Sequence, residues 1–381
     1  MEAGTRLIHP GNEVDEVTGA VSTPIYQSVI FAQKDSTAAG KWEYTRTGNP
    51  TRYVLEETIA QLEGGKSGFA FASGMAAITA SFFLFSAGDH VLVSRDVYGG
   101  TYRLASRLLP RFGIRVEFID TSDIANLEKA IKPDTRGLFM ETPSNPLMKI
   151  TDFRKAAALA RENRITTICD NTLMTPYLMR PLELGIDVVV HSATKYLGGH
   201  SDCLAGLVVT ADEGLGKEIR FIQNAVGAVL GPHDSWLIIR GLKTLKVRIE
   251  QQQTTASLLA GWLENQPEVV EVNYPGLPGQ PGREIHDAQA EGVGGVFSFR
   301  LPDEVTARKF VDLLTLPVIG TSLGAVESIV TIPAAMSHAF IPKEVRQSIG
   351  LTGDLVRLSV GLEDVKDLQE DLAQALRQLN L

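Results

Sequence analysis

The sequence predicts an α/β protein, a large mostly parallel mixed sheet covered by helices and followed by a smaller C-terminal α+β domain. Seven short runs carry the first part of that expectation: Gly68–Ala72, His90–Ser94, Val116–Ile119, Gly137–Glu141, Thr166–Asp170, Val188–His191 and Gly206–Thr210. They are apolar throughout rather than alternating, as strands buried on both faces are. Helical stretches fall between them, and alternation of strand and helix is the pattern of an α/β sheet. Beyond about residue 245 the order changes to strand (Gly295–Leu301), helix (Glu304–Leu314), short apolar segments and a last helix from about Val365.

Three spans follow from this order. Residues 1–50 are rich in Gly, Pro, Thr and Asn and carry little periodicity, so an extended arm is expected. Residues 51–245 form the large domain and residues 246–381 the small one. Within the large domain, Tyr53–Glu63 has helical spacing and stops at Gly64-Gly65, a helix C-terminal signal. Gly241–Glu264 reads as one long helix, and Gly276–Gly282 as a Pro/Gly-rich turn cluster.

Composition excludes several classes. The 381 residues include 36 Lys+Arg and 45 Asp+Glu, a formal charge of −9. Nucleic acid and anionic membrane surfaces are therefore not expected partners. The two cysteines, Cys169 and Cys203, share no metal-ligand spacing and are expected as buried thiols, and no metal site is expected. The first ten residues lack a basic region followed by an apolar run, and no run is long enough to span a bilayer. A cytoplasmic, soluble protein is the expectation.

The sharpest local feature is His191-Ser192-Ala193-Thr194-Lys195-Tyr196-Leu197-Gly198-Gly199-His200. A strand delivers two hydroxyls and an amine to its carboxyl end, where open α/β sheets bind ligands. Alone, this pattern is no more than a lysine in a turn. Upstream, an apolar strand ends in Asp170-Asn171-Thr172, and a carboxylate at the end of a buried strand needs a partner. A protonated pyridine nitrogen is a suitable one. Ser73-Gly74-Met75 opens a helix directly after a strand, which favours phosphate. Tyr98 lies just past another strand, where its ring could stack on a ligand. Hydroxyls and amides for a phosphate, an amine for an imine, a carboxylate and an aromatic face together suit a cofactor with a phosphate, a carbonyl and a ring nitrogen.

The chain resembles the cystathionine-metabolising, fold-type I pyridoxal-phosphate enzymes, which include cystathionine γ-synthase, γ-lyase and β-lyase and methionine γ-lyase. The matching blocks run from Tyr44-Thr45-Arg46-Thr47-Gly48-Asn49-Pro50-Thr51-Arg52 through Ser73-Gly74-Met75, Asp96 to Thr101, Glu141-Thr142-Pro143-Ser144-Asn145-Pro146, Asp170-Asn171-Thr172 and Ser192 to Asp202. They continue at Ser322-Leu323-Gly324 and Arg357-Leu358-Ser359-Val360-Gly361. The resemblance implies an aspartate aminotransferase-like fold and pyridoxal 5'-phosphate as cofactor. Lys195 and Tyr98 would be the catalytic pair, with Lys195 carrying the cofactor as a Schiff base and moving protons, and Tyr98 stacking on its ring. Asp170 would pair with the ring nitrogen. Gly74, Met75, Ser192 and Thr194 would hold the phosphate, with Tyr44 and Arg46 reaching from the arm into a neighbouring subunit's site. Arg357 would grip the α-carboxylate of a sulfur amino acid, supported by Asn145 and Ser322. A homotetramer built as a dimer of dimers is implied as well.

The resemblance also bears on the reaction. Many γ-enzymes of this kind carry Glu where this chain has Thr321, and methionine γ-lyases carry Cys where it has Gly100. The segments Ser322 to Ser328 and Pro333 to His338 are most similar to bacterial cystathionine β-lyases. The expected activity is α,β-elimination of cystathionine to homocysteine, pyruvate and ammonia. The alternatives are a cystathionine γ-lyase or γ-synthase and, more remotely, a non-catalytic pyridoxal-phosphate-binding regulator. Leu173 departs from the Phe that relatives often carry after Asp-Asn-Thr.

Overall fold

The structure, a computed structural model, describes residues 2–9, 14–37 and 40–379. Met1, Pro10 and Leu381, which belong to the expected arm and last helix, lie outside the described residues. Seven strands form one sheet: β1 (Ser67–Phe71), β2 (His90–Ser94), β3 (Arg115–Ile119), β4 (Thr135–Glu141), β5 (Thr166–Asp170), β6 (Val188–Ser192) and β7 (Gly206–Thr210), in the order β1-β7-β6-β5-β4-β2-β3. The apolar runs become these strands because both faces of the sheet are covered; β2 and β7 are buried at every residue. The run expected at Gly68–Ala72 shifts back by one, since the Ala72 amide donates to the Ala228 carbonyl instead of entering the ladder. β7 runs antiparallel to both its neighbours, β1 and β6, and the other pairs are parallel. β1, β2, β4, β5 and β6 therefore end at the same edge.

A second sheet holds β8 (Glu271–Asn273), β9 (Val296–Arg300), β10 (Val318–Ile319), β11 (Ile329–Thr331) and β12 (Leu355–Ser359), in the order β10-β11-β12-β9-β8. Helices Glu304–Leu313 and Val365–Leu379 pack on it around Phe297, Phe299 and Phe310. Each such buried ring stabilises the fold by about 1.5–3 kcal/mol relative to exposure.

The long helix expected over Gly241–Glu264 is present as Leu245–Leu263, but it starts four residues later, because Gly241 and Leu242 end the preceding helix, Pro232–Leu242. The break has a local cause. The Gly241 carbonyl accepts from the buried Arg248 guanidinium at 2.8 Å, while Arg248 Nε donates to Thr244 Oγ1 at 3.0 Å. The second helix then links the two sheets. Leu245 and Ile249 lie in the core of the seven-stranded sheet, and Ala256, Leu259 and Leu263 in that of the second.

The helix expected at Tyr53 starts at Pro50, capped by Asn49 Oδ1 on the Thr51 and Arg52 amides. It ends, as the sequence suggests, at Gly64 with φ +75°. The buried Arg52 donates to the Thr45 and Arg46 carbonyls, anchoring the arm where it enters the helix. Elsewhere the arm is mostly irregular, with one bridge from Ile30 to Tyr44 and a short helical turn, Ala3–Arg6. Among the described residues, no helix is long and apolar enough to cross a membrane. Cys169 is buried, but Cys203 is only half-buried, because it sits in the loop before β7 rather than in a strand.

Candidate active site

A cavity of about 180 Å³ opens where β1, β2, β4, β5 and β6 end and the second sheet faces them. Its floor comes from short loops. After β1, Ser73 caps the helix Gly74–Phe82, its Oγ accepting from the Ala76 amide at 3.1 Å. The amides of a helix's first turn have no partners within the helix, and Gly74 and Met75 line the cavity. A Cβ on Gly74 would lie 2.7 Å from Ser192 Cβ, so only glycine lets the helix start approach Ser192 this closely. Thr172 Oγ1 accepts from the Ser192 amide at 2.8 Å, tying the ends of β5 and β6 together.

Lys195, Asp170 and Glu141 carry perturbed protonation. Burial, and then the Arg357 charge, lower the Lys195 ammonium to a pKa of about 8; its Nζ donates to Ser322 Oγ at 2.8 Å. Burial raises the Asp170 carboxyl, although it accepts from the Thr172 amide at 2.9 Å. Burial, and then the nearby Asp170, push Glu141 well above its ordinary value. Among the described residues, neither acid has a cation within ion-pair distance. A buried carboxylate in that position calls for a cationic or proton-donating ligand.

Opposite them lies Arg357, on β12 and 1% exposed. Its guanidinium donates to Asn145 Oδ1 at 2.8 Å, the Ser322 carbonyl at 2.9 Å and Thr331 Oγ1 at 3.3 Å. No acid among the described residues pairs with it, and its Nε, also buried, has no partner. A buried, unpaired guanidinium fits a ligand carboxylate. Asn145 follows β4 in a loop with cis peptides before Pro143 and Pro146.

The structure thus brings together Lys195, Asp170, Tyr98, Gly74, Met75, Ser192, Thr194, Arg357 and Asn145 around one cavity, with Ser322 bonded to both Lys195 and Arg357. Thr194 Oγ1 already exchanges hydrogen bonds with the Ala205 backbone, so it would have to turn its proton from Ala205 to serve a phosphate. Tyr44 and Arg46 do not line the cavity. Tyr44 is 41% exposed, and the Arg46 guanidinium lies over its ring and donates to Asn224 Oδ1 at 3.2 Å. Sequence reading gave no role to Glu141, whose Oε2 accepts from the Tyr98 amide at 3.0 Å. The signal was present, because Glu141 ends an apolar run as Asp170 does. Thr172 was passed over as well. Pyridoxal phosphate fits this donor set: helix-start amides and hydroxyls for its phosphate, a buried carboxylate for its ring nitrogen, and an amine for its aldehyde.

Comparison with known proteins agrees. Residues 4–377 match a family model described as Cys/Met metabolism PLP-dependent enzyme. The chain is 52% identical over 375 residues to the cystathionine β-lyase MetC of Bacillus subtilis, covering 98% of this chain and 96% of that one. It is 50% identical to the cystathionine γ-lyase of the same organism, over the whole of both chains. The crystal structure of cystathionine γ-lyase from Lactobacillus plantarum complexed with L-serine superposes with a TM-score of 0.97 at 45% identity, covering both chains completely.

Proposed function

The chain belongs to the Cys/Met metabolism PLP-dependent enzyme family, and within it we propose a cystathionine β-lyase that splits cystathionine and water into homocysteine, pyruvate and ammonia. It is a PLP-dependent trans-sulfuration enzyme that acts on amino acids. Pyridoxal phosphate, when bound, supplies an aldehyde carbon for the substrate amine and a ring that withdraws electrons from Cα. The remaining work belongs to side chains of this chain.

In this reading Ser192, Thr194 and the amides at Gly74 and Met75 would receive the phosphate, and Asp170 would pair with the ring nitrogen. Tyr98 would pack on the ring from a loop that Glu141 fixes through the Tyr98 amide. Arg357 takes the α-carboxylate, with Asn145 and the Ser322 carbonyl holding the guanidinium in plane. Lys195 removes the Cα proton. With a pKa of about 8, a useful fraction of its amine is neutral near pH 7, as a general base requires. Tyr44 and Arg46, outside their own cavity, would complete the phosphate site of a second copy in a homotetramer.

The observation that carries the β assignment is Thr321, an uncharged residue on the cavity wall beside Ser322. β-Elimination needs one proton removed, at Cα, and Lys195 suffices. γ-Chemistry needs a second at Cβ, and the Thr321 position offers no carboxylate to assist it. The second reading, γ-lyase or γ-synthase, draws on the γ-lyase at 50% identity and a cystathionine γ-synthase/O-acetylhomoserine (thiol)-lyase of B. subtilis at 47%. Product analysis on L-cystathionine decides between them. Pyruvate with homocysteine is expected; 2-oxobutyrate with cysteine as the main products would overturn the β assignment.

A further inference from the structure

His338 has no role in the chemistry above, yet it is 1% exposed and sits behind the carboxylate clamp. It follows β11 in a tight turn, its amide donating to the Pro333 carbonyl and its carbonyl accepting from the Ile341 amide. Its Nε2 lies 3.1 Å from the Asn145 carbonyl, and Ser337 Oγ lies 2.8 Å from its Nδ1. The Val97 carbonyl also faces the ring; a carbonyl only accepts, so the bond to Asn145 is made with the proton on Nε2, and Nδ1 then accepts from the Ser337 hydroxyl. Asn145 is in turn the residue whose Oδ1 receives Arg357 at 2.8 Å. The same turn presses on the loop of Tyr98: a Cβ on Gly99 would meet the Ser337 carbonyl at 2.3 Å.

We propose that His338 is the positioning residue of the substrate carboxylate clamp: its Nε2–H fixes the backbone of Asn145, and through it the orientation of Arg357. The choice of histidine has a physical reason. A lysine or arginine here would place a second buried cation beside Arg357, whereas a neutral imidazole gives a donor without charge. Burial, and then Arg357, hold its pKa down to about 4, so it is neutral near pH 7. The inference rests on the reading of Arg357 as the carboxylate clamp.

The test uses the holoenzyme and two ligands, L-alanine and ethylamine, which differ by the carboxylate. Binding of each is followed by the change in cofactor absorbance. His338→Ala is expected to weaken L-alanine about tenfold, the worth of one buried hydrogen bond, and to leave ethylamine within about twofold. His338→Gln, which keeps a donor, is expected to restore most of the loss. A role that is only structural would weaken both ligands alike, and that outcome, or no change in either, overturns the proposal. Arg357→Lys is the control. If it leaves the alanine-to-ethylamine ratio unchanged, the clamp reading itself is wrong. If it lowers the ratio and His338→Ala does not, only the role of His338 is wrong. Ser337→Ala carries the test should His338→Ala not fold. It frees Nδ1 to take the proton and is expected to move the ratio in the same direction by about two- to threefold.

Discussion

The two halves of the cavity are built differently. On one side, Asp170, Ser192, Thr194 and Lys195 sit at the ends of neighbouring strands of a single sheet, laced by the Ser192 amide on Thr172 Oγ1. On the other, Arg357 stands within a strand of the second sheet and meets Asn145, 212 residues away in sequence, across the gap between the sheets. The first half is fixed by local geometry as soon as β5 and β6 pair. The second exists only when the two sheets dock. Loss of docking would therefore cost substrate recognition before it costs the cofactor.

That contrast can be broken by variants placed in each half. The largest expected effect is that of Lys195→Ala, since in the proposed reading it removes both the cofactor's amine partner and the base. Pyruvate formation from L-cystathionine should fall at least ~1000-fold, within the range of lost general-base catalysis. Full turnover by this variant would refute the assignment of the first half. Arg357→Lys should come next. A point charge in place of a planar fork loses the bidentate grip, and we expect KM for L-cystathionine to rise on the order of 100-fold with the holoenzyme absorbance spectrum unchanged. If cofactor affinity falls in proportion, the halves are not separable as described.

The same contrast explains what could be read from the sequence. The ends of β1, β2, β5 and β6 were legible because each apolar run had to be buried on both faces, and the polar residues at or just past its end then had to lie at the cavity edge. Asp170, which ends β5, and Lys195, three residues past β6, are such residues. Glu141 is another, and was missed because nothing in its neighbours names a partner; the Tyr98 amide it holds comes from a different strand end. Arg357 had no local signal at all. It lies inside an apolar strand where an arginine looks misplaced, and only the resemblance assigned it a ligand. The helix break at Lys243-Thr244 was invisible for another reason, because its cause, the Arg248 guanidinium reaching back seven residues to the Gly241 carbonyl, is a side-chain bond that periodicity does not register. Antiparallel β7 was likewise hidden, since a strand buried on both faces reads the same in either direction.

The smallest expected effect joins the halves electrostatically. Lys195 is held at a pKa of about 8 first by burial and then by the charge of Arg357. At pH 7 roughly a tenth of its amine is then neutral, against less than roughly one in a thousand for an ordinary lysine. Reductive methylation of Lys195 in the cofactor-free chain, followed by mass spectrometry between about pH 6 and 11, should rise with pH with a midpoint near 8. A midpoint above about 10 would mean a solvated lysine and undo the reading of its environment. Arg357→Leu removes the neighbouring cation, which stabilises the ammonium form and raises the midpoint. Burial is the larger cause, so the midpoint should move only part of the way back towards that of a free lysine. Arg357→Lys keeps the charge and should leave the midpoint nearly in place. A midpoint that ignores the leucine substitution would show that the clamp and the base, although they share Ser322, do not sense each other's charge.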